Sequence, residues 1–177
     1  MKNEEALKRY HEIRDKIDEH CSKLYGEHQS AMKCAKGCSE CCMNFDVFPV
    51  ELYSIQQALK DYTPTSDQLT PTNSESCIFL KDKVCTIYEA RPVICRTHGY
   101  PLLYMNDENW ELSYCPLNFE DQEPDYFHLE NTYPQDRYNS ELFLANKAFI
   151  ESIPGNPFSE FDLIPMNQIF QTKLFEK

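Results

Sequence analysis

The chain has 177 residues, of which 41% are hydrophobic and 13% aromatic, enough for one core and little more. With 29 acidic against 17 basic side chains its formal net charge is -12, which would repel a phosphate backbone, and no stretch interleaves dense Lys or Arg with aromatics; direct nucleic-acid binding is not expected. The opening MKNEEALKRYHEIRDKIDEH is charged throughout and no run of about eighteen apolar residues follows, so neither a secretory signal nor a membrane span is expected, and the location expected is cytoplasmic.

In chain order, Leu7, Tyr10, Ile13, Ile17, Cys21, Leu24 and His28 recur at three- and four-residue steps between charges, which predicts an amphipathic N-terminal helix within residues 1–29 with Cys21 facing the core. Gly26 loosens its end. Gly37, just before Cys38, permits a tight turn, and Pro49 opens a second helix over VELYSIQQALKD. The Pro-, Ser- and Thr-rich segment Thr63–Ser76 reads as a surface loop.

Two β-prone runs in CIFLKDKVCTIY flank Lys81, Asp82 and Lys83 and predict a hairpin with Cys77 and Cys85 near its arms. A second hairpin is predicted in PLLYMNDENWELSY, turning at Asn106 to Asn109 and delivering the chain to Cys115. Between them ARPVICR suits a short helical turn with Pro92 near its start. The C-terminal extension, 121–177, carries a predicted helix in SELFLANKAFIESI, stopped by Pro154 and Gly155, and then FDLIPMNQIFQTKLF, apolar enough to pack back. From Thr97 to Asp136 there are nine acidic residues and no Lys or Arg. That run reads as a solvated face, with docking of a basic protein partner as its alternative.

Nine cysteines remain to be explained: Cys21, Cys34, Cys38, Cys41, Cys42, Cys77, Cys85, Cys95 and Cys115. In a reducing compartment clustered cysteines bind metal or do redox work rather than form disulfides. With Cys21 assigned to the helix core, eight are left, which is two sets of four. Tetrahedral zinc takes four soft ligands at about 2.3 Å, and cysteines a few residues apart can aim two sulfurs at one ion from one turn. Cys34, Cys38 and Cys41 have that spacing. Cys41 and Cys42 are adjacent, and neighbouring side chains of a non-helical segment diverge, so the pair suits two ions or two corners of one cluster; a strained vicinal disulfide is the alternative.

The distant Cys77, Cys85, Cys95 and Cys115 would close the sites and couple metal binding to folding. His98, three residues after Cys95, could replace one sulfur or be an ordinary polar residue. Arg91 and Arg96 could be surface charge or helix-end partners, or could donate hydrogen bonds to anionic sulfur.

CAKGCSECC, followed by CIFLKDKVCTIYEARPVICR and then Cys115, resembles the CxxCxxCC family of zinc- or iron-chelating proteins, the YkgJ-like cysteine-cluster proteins, over roughly residues 34–115. The resemblance implies eight metal-binding cysteines, which map onto Cys34, Cys38, Cys41, Cys42, Cys77, Cys85, Cys95 and Cys115. It implies no defined activity. Some members are described as iron-sulfur oxidoreductases, and the flagellin lysine methylases look related through an iron-sulfur cluster, but outside the cysteine region no motif ties this chain to that activity.

The fold expected is α+β: one small metal-stabilised domain spanning 1–177, with short β-hairpins, cysteine-bearing loops and flanking helices. The function expected is metal binding, with zinc, in two ions, using all eight thiolates without remainder, and a 4Fe-4S cluster with redox or oxidoreductase activity as the alternative. CxxxCxxC spacing also occurs in radical S-adenosylmethionine enzymes, but too little alternating strand and helix follows here for their barrel. No Cys and His pair stands out as a nucleophile and its base, and the four glycines form no phosphate-binding loop.

Overall fold

The computed structural model describes residues 2–70 and 75–174. Helix α1 (Lys2–His28) buries Tyr10, Ile13, Ile17, Cys21, Leu24 and His28 along one stripe, as the periodicity requires, and runs through Gly26 to His28. His28 is fully buried because both ring nitrogens are used: Nε2 donates to the Asn131 carbonyl at 2.7 Å and Nδ1 accepts from the Tyr126 hydroxyl at 2.8 Å.

Strand β1 (Asp46–Val47) leads into α2 (Pro49–Ala58), with proline in its first turn as expected. The Thr63–Ser76 segment holds one helical turn, α3 (Ser66–Leu69), which the loop composition did not announce; its part at 71–74 lies outside the described residues. Strands β2 (Leu80–Lys81) and β3 (Val84–Cys85) form the first hairpin, with Leu80 opposite Cys85. The short helix α4 (Val93–Thr97) follows, with Pro92 before its first residue.

The second hairpin is β4 (Leu102–Asn106) with β5 (Asn109–Ser113). Both hairpins turn on two residues, and the type I′ turn, one of the two favoured for such hairpins, needs positive φ at both positions. Asp82 and Lys83 (49° and 61°) and Asp107 and Glu108 (45° and 70°) adopt it without glycine. Strand β6 (Tyr133–Pro134) lies parallel to β4, helix α5 (Gln135–Ile150) packs on α1, and β7 (Ile164–Pro165) returns to pair with β1. Helices with short antiparallel and mixed sheets make the architecture α+β.

Two apolar clusters hold these elements. The larger joins the α1 stripe, Cys21 included, to Val50, Val93, Tyr133, Leu142, Ala145 and Phe149. The other gathers Val47, Leu52, Ile55, Phe79 and Ile87 with Ile164, Met166, Ile169 and Leu174, so the C-terminal segment does pack back, and Cys77 and Cys85 lean against it. The acidic stretch is partly used within the chain: Asp136 accepts the Met105 N–H at 2.7 Å and Glu111 accepts from Tyr104 and Asn106.

Buried polar groups tie the clusters together. The fully buried Glu51 carboxylate accepts the Val93 N–H at 2.9 Å and the Phe48 N–H at 3.2 Å, so one side chain caps α4 and α2; burial pushes its carboxyl up to about 7. Arg96 is also buried. Its guanidinium pairs with Asp18 on α1 and donates to the carbonyls of Glu89 and Arg91, the latter at 2.8 Å. Arg96→Gln would leave Asp18 and two carbonyls without their donor, whereas Asp18→Asn removes one partly exposed partner. By chemical denaturation Arg96→Gln should cost about 3–5 kcal/mol and Asp18→Asn clearly less; equal costs would show that the carbonyl bonds contribute little.

Candidate metal centre

Four backbone segments bring the cysteines together, each by its own local logic. Leaving α1, the chain makes two turns closed on themselves: Cys38 N–H donates to the Ala35 carbonyl and Cys42 N–H to the Ser39 carbonyl, both at 3.0 Å. Gly37 sits at φ 97°, in the left-handed region the first turn requires. The second segment arrives by pairing: Met43 bridges Ser76, Asn44 N–H donates to the Glu75 carbonyl, and Cys77 N–H donates to the Cys42 carbonyl at 3.2 Å. The hairpin then folds Cys85 back beside it. Cys95 comes on α4, fixed by Glu51 and Arg96, and Cys115 comes from the end of the second hairpin, in a turn where Asn118 N–H donates to its carbonyl at 2.9 Å.

All nine cysteines are free thiols, so no vicinal disulfide joins Cys41 to Cys42. Cys21 is buried in the α1 core, where burial pushes its thiol up to about 12. Of the other eight, seven line one cavity of about 600 Å³; Cys115 does not line it but interacts directly with Cys34. Burial is the largest cause of each shift among these thiols, and the next causes identify neighbours. Cys34 is raised by burial and by Cys115 and Cys38; Cys41 is pushed up to about 11 by burial and by Cys42, Cys34 and Cys38. Cys42 is raised by burial and by Cys77, Cys85 and, less, Cys38, Cys77 by burial and by Cys85, and Cys95 by burial and by Cys77, Cys85 and Cys42.

These influences outline two overlapping neighbourhoods of four, with Cys41 and Cys42 acting on each other and Cys38 acting on Cys42 across them. One holds Cys34, Cys38, Cys41 and Cys115, the other Cys42, Cys77, Cys85 and Cys95, and they meet at the adjacent Cys41 and Cys42. Among the described residues, no three or more His, Cys, Asp or Glu side chains are already arranged to hold a metal ion. The sulfurs converge on shared space without forming a finished cage. Their chemistry fits a soft cation: thiolates crowded in poorly solvated space repel one another, and a divalent ion between them removes that cost.

The rest of the lining is selected by charge. Lys36, Lys83, Arg91 and Arg96 face the cavity and, among the described residues, no Asp or Glu does, in a chain with an excess of acids. Arg96 is spent on Asp18 and carbonyls, so it is a structural clamp rather than a sulfur donor. Arg91 lies over the Tyr88 ring, 3.7 Å from guanidinium carbon to centroid, and its buried Nε has no hydrogen-bond partner; its charge opposes the rise of Cys95. His98 lines the same cavity, its ring 5.6 Å from that of Phe45 and its pKa lowered by burial.

Sequence reasoning missed the residue that holds Cys34. Asn118 is buried, donates Nδ2–H to Cys34 Sγ at 3.3 Å and to the Gly99 carbonyl at 2.8 Å, and accepts the Lys33 N–H at 2.8 Å. This amide joins the turns of Cys34 and Cys115 to the end of α4. Gly99, at φ 98°, allows the approach, since a Cβ there would lie 2.9 Å from Cys34 Sγ. A glycine just past a helix end was a readable signal; an asparagine three residues after a cysteine was not.

Two consequences can be measured. Asn118→Asp keeps the acceptor but removes both donations and sets anionic oxygen beside a sulfur; it should cost about 1–3 kcal/mol and slow alkylation of Cys34, followed by mass spectrometry of the modified peptide. Metal-free protein should lose stability as pH rises through the window from about 9 to about 11. There Cys41 holds its proton when folded, up to about 11, and releases it when unfolded, near the ordinary thiol value of 9.0; with more protons bound in the folded state, stability falls with pH. An alkaline series of denaturation curves with no such decline would contradict the crowding.

No curated protein and no solved structure is matched by the chain. Residues 33–116 match the family model CxxCxxCC, described as "Putative zinc- or iron-chelating domain", and the match spans every one of the eight clustered cysteines while leaving out Cys21. No helix among the described residues is long and apolar enough to cross a membrane. The segment that carries the eight clustered thiols is thus similar to a zinc- or iron-chelating domain, over somewhat less than half of the chain.

Proposed function

We propose that this chain is a metal-thiolate protein holding two zinc ions, one by Cys34, Cys38, Cys41 and Cys115 and the other by Cys42, Cys77, Cys85 and Cys95. The observation that carries it is that seven of the eight sulfurs line one cavity with Cys115 beside Cys34, and the grouping of their mutual influences, overlapping at Cys38, Cys41 and Cys42, supports the division of ligands. The cations lining the cavity add support. Two divalent ions with four thiolates each carry a formal charge of about -4 in total, and Lys36, Lys83 and Arg91 at the lining, beside the Arg96 already paired with Asp18, offset part of it. Most of the sulfurs ride on turns and hairpin ends, which can close by small backbone movements while the helices stay in place.

In this role the zinc supplies cross-links between segments far apart in sequence, so its binding free energy is folding free energy. Free thiols persist in a reducing compartment, which supports a cytoplasmic location. A 4Fe-4S cluster would use the same thiolates; the volume of the cavity, larger than a bare ion needs, is the observation in its favour.

Elemental analysis and a visible spectrum of anaerobically purified protein separate the two: about two zinc ions per chain and no colour are expected, whereas iron with sulfide and a brown solution would overturn the assignment. Cys21→Ser should keep the full metal content at a cost of about 1–2 kcal/mol, because Cys21 belongs to the larger apolar cluster and does not line the cavity. Cys42→Ser should lose metal or fail to fold. Holo protein should also release metal as pH falls below neutral, because protons compete for the ligating sulfurs; with the alkaline decline of the bare protein, this gives the two forms opposite pH dependences, visible in paired thermal melts.

A further inference from the structure

The two neighbourhoods are built unequally. Around Cys42, Cys77, Cys85 and Cys95 every sulfur is on anchored backbone: Cys77 is hydrogen-bonded to Cys42, Cys85 is paired with Leu80 in the ladder, and Cys95 rides α4, which Glu51 caps and Arg96 ties to α1. Cys77 and Cys85 also lean on the second apolar cluster. In the other neighbourhood only Cys34 is clamped from outside its own segment, by the buried Asn118, with Cys115 in the turn that Asn118 closes. Cys38 and Cys41 belong to the two self-closed turns. Ala35 to Cys38 is an exposed run, Cys38 is the one exposed cysteine of the nine, and a Cβ on Gly37 would meet no atom within 4 Å.

From this asymmetry we infer that the inner site, at Cys42, Cys77, Cys85 and Cys95, is structural and the outer site is exchangeable, with Cys38 the ligand that yields to an incoming thiol. The inference rests on the two-zinc assignment. A closed four-ligand site passes on its ion only when one ligand leaves and a substitute arrives, and the ligand with the most solvent and the fewest tethers leaves most easily. The exchange is balanced without redox chemistry. Cys38 gives up its bond to the ion and takes the proton of the incoming thiol, whose sulfur bonds in its place. The incoming group is a thiol, from a small molecule or from a cysteine of another protein. The aromatic and aliphatic residues at the cavity, Tyr25, Met43, Val84 and Tyr88, are themselves exposed and leave the approach to Cys38 open to either source.

The test begins with metal content and then follows zinc release from holo protein into a chromogenic chelator. Two zinc ions should leave in two phases of about one ion each, with rates differing roughly ten- to a hundredfold, as expected when supporting contacts differ between sites. Glutathione, or a peptide with a pair of cysteines, should speed the fast phase alone, and whichever is more effective identifies the source. Limited iodoacetamide should label Cys38 before any other ligand. Cys38→Ser should lack the fast ion and keep the slow one with an unchanged far-ultraviolet spectrum; should that variant not fold, the phases and labelling order of the natural sequence still decide. A metal content other than two zinc overturns the function assignment and this inference together. Two zinc ions leaving in a single phase, or alkylation starting at Cys77, Cys85 or Cys95, overturns the inference and leaves the assignment standing.

Discussion

Eight thiols in one region ionise together only at a cost that a cation between them would remove, and the composition of the site answers that constraint. Burial and mutual repulsion hold Cys34, Cys41, Cys42, Cys77 and Cys95 above the ordinary thiol range. The same crowding suits a soft cation, which relieves the repulsion between thiolates, and residues 33–116 match a zinc- or iron-chelating domain type. The lack of carboxylates at the cavity among the described residues extends the logic: in a chain of net charge -12, acids at the lining would add repulsion, and the basic side chains reduce it.

The scaffold answers a different demand, that of keeping distant segments in register without disulfides. The α1 and α5 helices form the larger core, and the site is fastened to it through α4, by the Arg96 and Asp18 pair and by the Glu51 cap. On the far side the pairing of Cys77 with Cys42 and the packing of Cys77 and Cys85 on the second cluster carry the first hairpin. Asn118 and Gly99 do the same for Cys34, the first as donor and clamp, the second by leaving room for sulfur. The α4 segment and the turns of Cys34 and Cys115 are therefore held by a small number of buried polar contacts, which are costly to lose because their partners are shut away from water.

Much of this could be read along the chain. The stripe of α1 with Cys21 inside, proline at the start of α2, both hairpins, the α4 turn and the docking of the C-terminal segment follow from spacing, β-propensity and the conformational limits of proline, all of which act within a few residues. The cysteine spacing, too, separated eight clustered thiols from the one in the helix, and adjacency at Cys41 and Cys42 pointed to divergence. These are local constraints, and a sequence carries local constraints openly.

Only the tertiary structure decided which sulfur neighbours which, because the gap between Cys42 and Cys77 or between Cys34 and Cys115 is bridged by contacts that no short window contains. It decided that Arg96 is spent on Asp18 while Arg91 keeps a buried donor free, although both stand in one phrase of sequence. It also singled out Asn118, an ordinary loop residue by sequence, as the clamp on Cys34. A polar side chain acquires its role from the groups brought to it, and those arrive only when the chain has folded.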